Sequence, residues 1–137
     1  MVALVLAAAL LAQGGAMSGP CSGADPAIAS VTSSLLGNVG SVNRYRLAVT
    51  VQNRGSKKQS SNVLQSVVMF QNAWKTDTKG IPPLRPGQSY TANFTFQRSA
   101  EADEHSTRFR FEIQFRQPNP PGSMDCNLGN DTYRLEV

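Results

Sequence analysis

Histidine, cysteine and tryptophan are nearly absent from these 137 residues: there are one, two and one of them. The single histidine, His105, stands in an acidic run, Glu101-Ala102-Asp103-Glu104-His105. Serine-histidine-acid chemistry, a Cys/His nucleophile pair and a zinc centre all need histidines or cysteines in other combinations, and no phosphate-cradling glycine loop is present. The carboxylates Asp103 and Glu112 could pair only if the fold set them across a cleft, which no pattern in the chain requires. A non-enzymatic protein is expected, with no cofactor and no metal site. Heptads and long helical stripes are missing too, which excludes a coiled coil or helical bundle. Charge is sparse: 13 basic against 9 acidic residues, a formal net charge of +4 and a sequence pI near 9.4. That balance favours acidic partners but is too small to argue for nucleic acid.

Only one hydrophobic run is long, and it opens the chain. Met1 to Ala12 is apolar and uncharged, and Gln13-Gly14-Gly15-Ala16 follows. The run has the form of a secretory signal, with cleavage expected after Ala16. It falls short of the roughly 20 apolar residues that span a bilayer. The reading is therefore a signal peptide over 1–16 and a secreted, extracellular domain over 21–137, without stable membrane insertion. In that oxidising compartment Cys21 and Cys126 are expected to form one disulfide. Closing so long a loop is worth about 4–5 kcal/mol at most.

What the mature chain has in quantity is short strand-like runs set between Gly, Pro, Asn and Ser. They are Ala27–Ser34, Val42–Gln52, Val63–Gln71, a weak segment over Ala73–Thr76, Ser89–Arg98, the run from Arg108 to Arg116, and Thr132–Val137. In the second, Tyr45, Leu47, Val49 and Val51 share one face; in the sixth, Phe109, Phe111, Ile113 and Phe115 do. Val63–Gln71 is apolar on both parities, as in a strand covered on both faces or one facing a partner. Leu84-Arg85-Pro86-Gly87-Gln88-Ser89 delivers the chain into the fifth strand. Pro86 pre-sets φ at the first central turn position, and Gly87 can take the positive φ of a type II turn. The strand behind it puts Tyr90, Ala92, Phe94 and Phe96 inward and Asn93 on the wet face. About seven such strands predict an all-β fold, an immunoglobulin-like antiparallel β-sandwich.

Three features together resemble the CARDB-type, cell-adhesion-related immunoglobulin-like domains. They are the long alternating strand ending in Asn53-x-Gly55, the Leu84-x-Pro86-Gly87-Gln88-Ser89 turn, and Asn127-x-x-Asn130 before the closing strand. The resemblance covers roughly Asp25 to Val137 and implies a sandwich used in adhesion or binding. The closing loop departs from the family's acidic, doubled-asparagine run by carrying Cys126. Fibronectin type III domains share a Leu-x-Pro-Gly-x-x-Tyr turn, which Tyr90 completes here. In those domains one strand follows the turn's own strand; here two do.

Candidate functional residues are few. Arg108, Arg110 and Arg116 share the outer parity of one strand and form a candidate ligand face for an anion, with Glu112 among them; Arg44 and Arg46 belong to another strand. Solvated faces that discourage edge pairing are the plainer account of these arginines. Trp74 is a candidate sugar-stacking or protein-contact residue, although a tryptophan in a small sandwich more often covers core or edge. Asn93-Phe94-Thr95 and Asn130-Asp131-Thr132 are sequons, so Asn93 and Asn130 are candidate glycosylation sites. The acidic and amide residues Glu101, Asp103, Glu104, Asp125, Asn127, Asn130 and Asp131 lack the spacing of a known calcium loop and read as polar loop chemistry. The expected function is an extracellular adhesion or binding module for protein or carbohydrate. The alternatives are a carbohydrate-binding accessory domain for cell-wall polysaccharide, favoured if Trp74 is exposed, and a small secreted hydrolase or inhibitor.

Overall fold

The computed structural model describes residues 22–116 and 126–137, without the side chains of Asp103, Glu104 and Leu128. The expected leader over 1–16, Cys21, and the proline-rich loop with Asp125 lie outside the described residues. Seven strands are formed: β1 (Pro26–Val39), β2 (Val42–Asn53), β3 (Gln65–Gln71), β4 (Trp74–Ile81), β5 (Ser89–Ser99), β6 (Arg108–Phe115) and β7 (Thr132–Glu136). They make two sheets, ordered β1-β2-β5 and β4-β3-β6-β7, and every pairing is antiparallel. Here β4 pairs with β3, whereas constant-type immunoglobulin domains put four strands in the sheet of the first. No helix among the described residues is long and apolar enough to cross a membrane.

Alternation decides which faces meet. Leu47, Val49 and Val51 from β2 and Ala92, Phe94 and Phe96 from β5 are buried against Val67 and Met69 from β3 and Phe109, Phe111 and Ile113 from β6. The aromatic rings form a continuous chain across the gap. Tyr45 stacks on Phe96 at 4.9 Å, Phe96 meets Phe109 at 4.7 Å, and Phe94 meets Phe111 at 5.4 Å between ring centroids. Burying each such ring contributes roughly 1.5–3 kcal/mol, plus a smaller term for ring–ring geometry. On β1 a register shift between Ile28 and Ser30 brings both Ile28 and Val31 inward despite their opposite parity.

Two turns lock the sheets together at one end. Gln88 N donates to Arg85 O at 2.9 Å, and Gly87 has φ +79°, the type II geometry read from the sequence. Gly87 N donates to Asn53 O at 2.7 Å, and Asn53 N to Gln88 O at 3.0 Å. The Asn53 side chain is fully buried, and all of its hydrogen-bonding capacity is used. Its Oδ1 accepts from Asp25 N and Gly55 N, each at 2.9 Å. Its Nδ2 donates to Lys57 O at 2.9 Å and to Leu84 O at 3.0 Å. Gly55 is needed because a Cβ there would sit 2.0 Å from Gly23 O and 2.7 Å from Asp25 N. Beside them Gln59 and Gln65 exchange side-chain bonds of 2.8 Å in both directions.

Three elements differ from the sequence expectation. β1 runs on past Ser34 to Val39, because Gly40-Ser41 closes a two-residue hairpin with Gly40 at φ +63°. Leu36 is absorbed by a second register shift, between Leu35 and Gly37. β4 extends to Ile81. It is an edge strand, paired only to β3 and mostly exposed, so its polar sequence carries no alternation. Tyr90 shares parity with Phe94 but lies at the strand start, where it is exposed. In β3, Val67, Met69 and also Val68 are buried, so this central strand is covered on both faces, while Leu64 stays exposed.

Candidate functional site

The β3–β4 turn, Asn72-Ala73, has both residues at positive φ, +49° and +75°. This is the twist a two-residue hairpin prefers, but alanine adopts it at a cost of roughly 1 kcal/mol or more. The turn is held against the start of β6. Asn72 N donates to Arg108 O at 2.9 Å, and Arg108 N donates to Asn72 Oδ1 at 3.3 Å. Trp74, the first residue of β4, follows and is 77% exposed, so it is neither core nor edge cover.

Beside this turn lies an open groove of about 580 Å³, lined by Phe70, Asn72, Arg108, Arg110, Arg134 and Leu135 among others. The Arg110 guanidinium lies 4.1 Å from the centre of the Phe70 ring. Arg110 Nε is also 2.6 Å from Glu112 Oε2, in an approach too far off the N–H direction to make a hydrogen bond. Arg108 Nε faces Glu136 Oε1 at 3.6 Å with both side chains exposed, a contact worth little in water. Arg134 stands directly across from Arg110 in the β6–β7 register and has no carboxylate partner among the described residues. Like charges opposed across two strands destabilise a sheet, and an anion laid between them removes that cost.

Arg108 and Arg110 thus share a groove, but Arg116 does not join them. It lies past the far end of β6, about 20 Å from Arg110 along an extended chain, and lines a separate groove with Leu64, Ser66 and Gln114. Arg134 takes the third position. Sequence parity on one strand could not find it, since the Arg110–Arg134 pair exists only through register. Arg44 and Arg46 are on β2, in the other sheet. Asn93 is exposed on the outer face of β5. Asn130 is partly buried, and its Nδ2 donates to Asp25 Oδ2 at 3.1 Å.

His105 closes a short 3-10 turn, Ala100–Glu104, capped by Ser99. Its side chain is exposed, and its carbonyl accepts from Arg98 at 3.0 Å. It lines neither of the grooves above. No group of three or more His, Cys, Asp or Glu side chains is gathered among the described residues.

The class of protein defined by this architecture is a seven-stranded immunoglobulin-like sandwich. Neither a family model nor a curated protein matches the chain. Among solved structures the fold is similar to a domain of a provisionally named cell surface protein from Methanosarcina acetivorans, at 17% identity and a TM-score of 0.58, covering 84% of this chain and 90% of that one. It is also similar to the CARDB domain of a Pyrococcus furiosus protein solved in complex with di-metal ions, at 14% identity and a TM-score of 0.53, covering 87% and 92%. The fold is therefore CARDB-like, as the three sequence features implied.

Proposed function

We propose that this is a secreted, non-enzymatic binding module whose ligand is an acidic extracellular polysaccharide. The observation that carries the proposal is Trp74. It is 77% exposed at a strained hairpin turn, next to a groove containing three arginines. An indole offers a flat face for the apolar side of a sugar ring, and Arg110 and Arg134 supply donors for carboxylate or sulfate groups. Likeness to a cell surface domain and to a CARDB domain supports an extracellular setting. Secretion would allow Cys21–Cys126 pairing. Asn93, exposed and facing solvent, is the better placed of the two sequons for a glycan.

A polysaccharide array probed with the mature protein tests this reading. Acidic members should bind, and Trp74→Ala and Arg134→Glu should each weaken binding about tenfold or more without lowering the melting temperature. No binding to any member would overturn it.

A protein ligand is the second reading, favoured by a different surface. Leu35 and Val39 are 58% and 72% exposed on β1, an edge strand. A partner could add a strand there and cover both. Pull-down that is lost with Val39→Lys, alongside a blank array, would select it.

A further inference from the structure

We infer that Asp25 and Asn130 form a binding site for a hard divalent cation of the calcium class. The observation is a set of buried oxygens without donors. Asp25 is only 4% exposed. Its Oδ2 accepts from Asn130 Nδ2 at 3.1 Å, but its Oδ1 is buried and accepts from nothing, and the carboxylate is in no ion pair among the described residues. Asn130 Oδ1 is likewise buried without a donor. An anionic oxygen withdrawn from water with no donor is costly, and a bound cation removes the cost.

The backbone holds these groups in place before any ligand arrives. Asp25 N is bound by Asn53 Oδ1 at 2.9 Å, and Asp25 O accepts from Arg54 N at 2.8 Å. On the other side a 3-10 turn, Leu128–Asn130, presents Asn130, with Gly129 N bonded to Asn127 Oδ1 at 3.1 Å. Asp131 O is fixed by Ile113 N at 2.9 Å, and Cys126 N is fixed on Ala24 O at 2.8 Å. The backbone at Asp25 is therefore fixed, and the Asn130 bond holds its carboxylate inward. The ligand atoms these residues supply are oxygens, from one carboxylate and one amide, which suits calcium and not the softer metals. Waters would complete the coordination. The cation would clamp the segment entering β1 to the segment entering β7, residues far apart in sequence.

The test is thermal unfolding of the mature protein in 5 mM CaCl2 against EDTA, at matched ionic strength, with calorimetric titration of CaCl2. Extracellular calcium modules bind at about 0.1–1 mM, so the melting temperature should rise by about 5 °C, with one site per chain. Asp25→Asn should abolish both the rise and the heat. Asp77→Asn, whose parent residue makes an exposed ion pair with Lys79, should keep both. Asn130→Ala leaves the backbone bonds of Asp25 intact and serves if Asp25→Asn fails to fold; it should weaken calcium binding about tenfold. Identical unfolding of wild type in calcium and EDTA would overturn the proposal and leave a water as the occupant. So would a calcium response retained in Asp25→Asn, or, should Asn130→Ala stand in for it, calcium affinity in that variant equal to wild type.

Discussion

Asn53 and Asp25 lie one hydrogen bond apart at the same end of the sandwich, yet their side chains are treated differently. Asn53 is fully buried with both amide atoms doubly bonded to backbone. Asp25 is nearly as buried, and one of its carboxylate oxygens faces no donor. A polar group closed on all sides specifies a fold, since any other arrangement leaves it unsatisfied. A polar group left open within a rigid joint needs something from outside. The Asn53-x-Gly55 and Pro86-Gly87 motifs, two of the three features that carried the family resemblance, belong to the closed kind. They bond to each other and reach no ligand surface, so likeness in them reports architecture and not a partner.

The contrast can be broken at its strongest point first. Gly55→Ala would drive a Cβ to 2.0 Å from Gly23 O and disturb the Asn53 network. Its cost should exceed about 4 kcal/mol in urea unfolding, among the larger effects a single substitution has. Phe94→Ala, removing a fully buried ring from the centre of the aromatic chain, should cost about 3–5 kcal/mol by the same measurement. Cys126→Ser tests the disulfide proposed between Cys21 and Cys126. Removal of a long-loop disulfide should cost about 2–4 kcal/mol, and mass spectrometry of the secreted wild-type protein should find no free thiol. At the opposite end of the ranking, Trp74→Ala should change stability by less than about 0.5 kcal/mol, because its side chain is solvated, while polysaccharide binding falls.

The sequence displayed the closed parts of this molecule better than the open ones. The inward residues of β2, β5 and β6 follow strict alternation, and the Pro86-Gly87 turn type follows from the two residues themselves. β4 is only weakly marked in the sequence because an edge strand exposed on most of its length has no apolar period. β1 outruns its sequence pattern because Leu35-Leu36-Gly37 breaks alternation, and only the pairing with β2 shows that a bulge absorbs Leu36. The candidate sites were harder still. Arg134 meets Arg110 through strand register, and Asn130 meets Asp25 across a separation of 105 positions. Neither juxtaposition leaves a local pattern in the chain. Arg116 shows the converse: correct parity on a strand places a residue on a face but not within reach of its neighbours' groove.

The most direct test of the division between closed and open polar groups is a pair of urea unfolding curves in metal-free buffer. Asn53→Ala strands buried backbone groups on several segments and should lose about 3–5 kcal/mol. Asp25→Asn removes a buried charge and gives Asn130 Oδ1 a donor, so it should lose less than about 0.5 kcal/mol or gain stability. Equal, large losses in both variants would contradict the account. They would show that Asp25 is as much a part of the scaffold as Asn53.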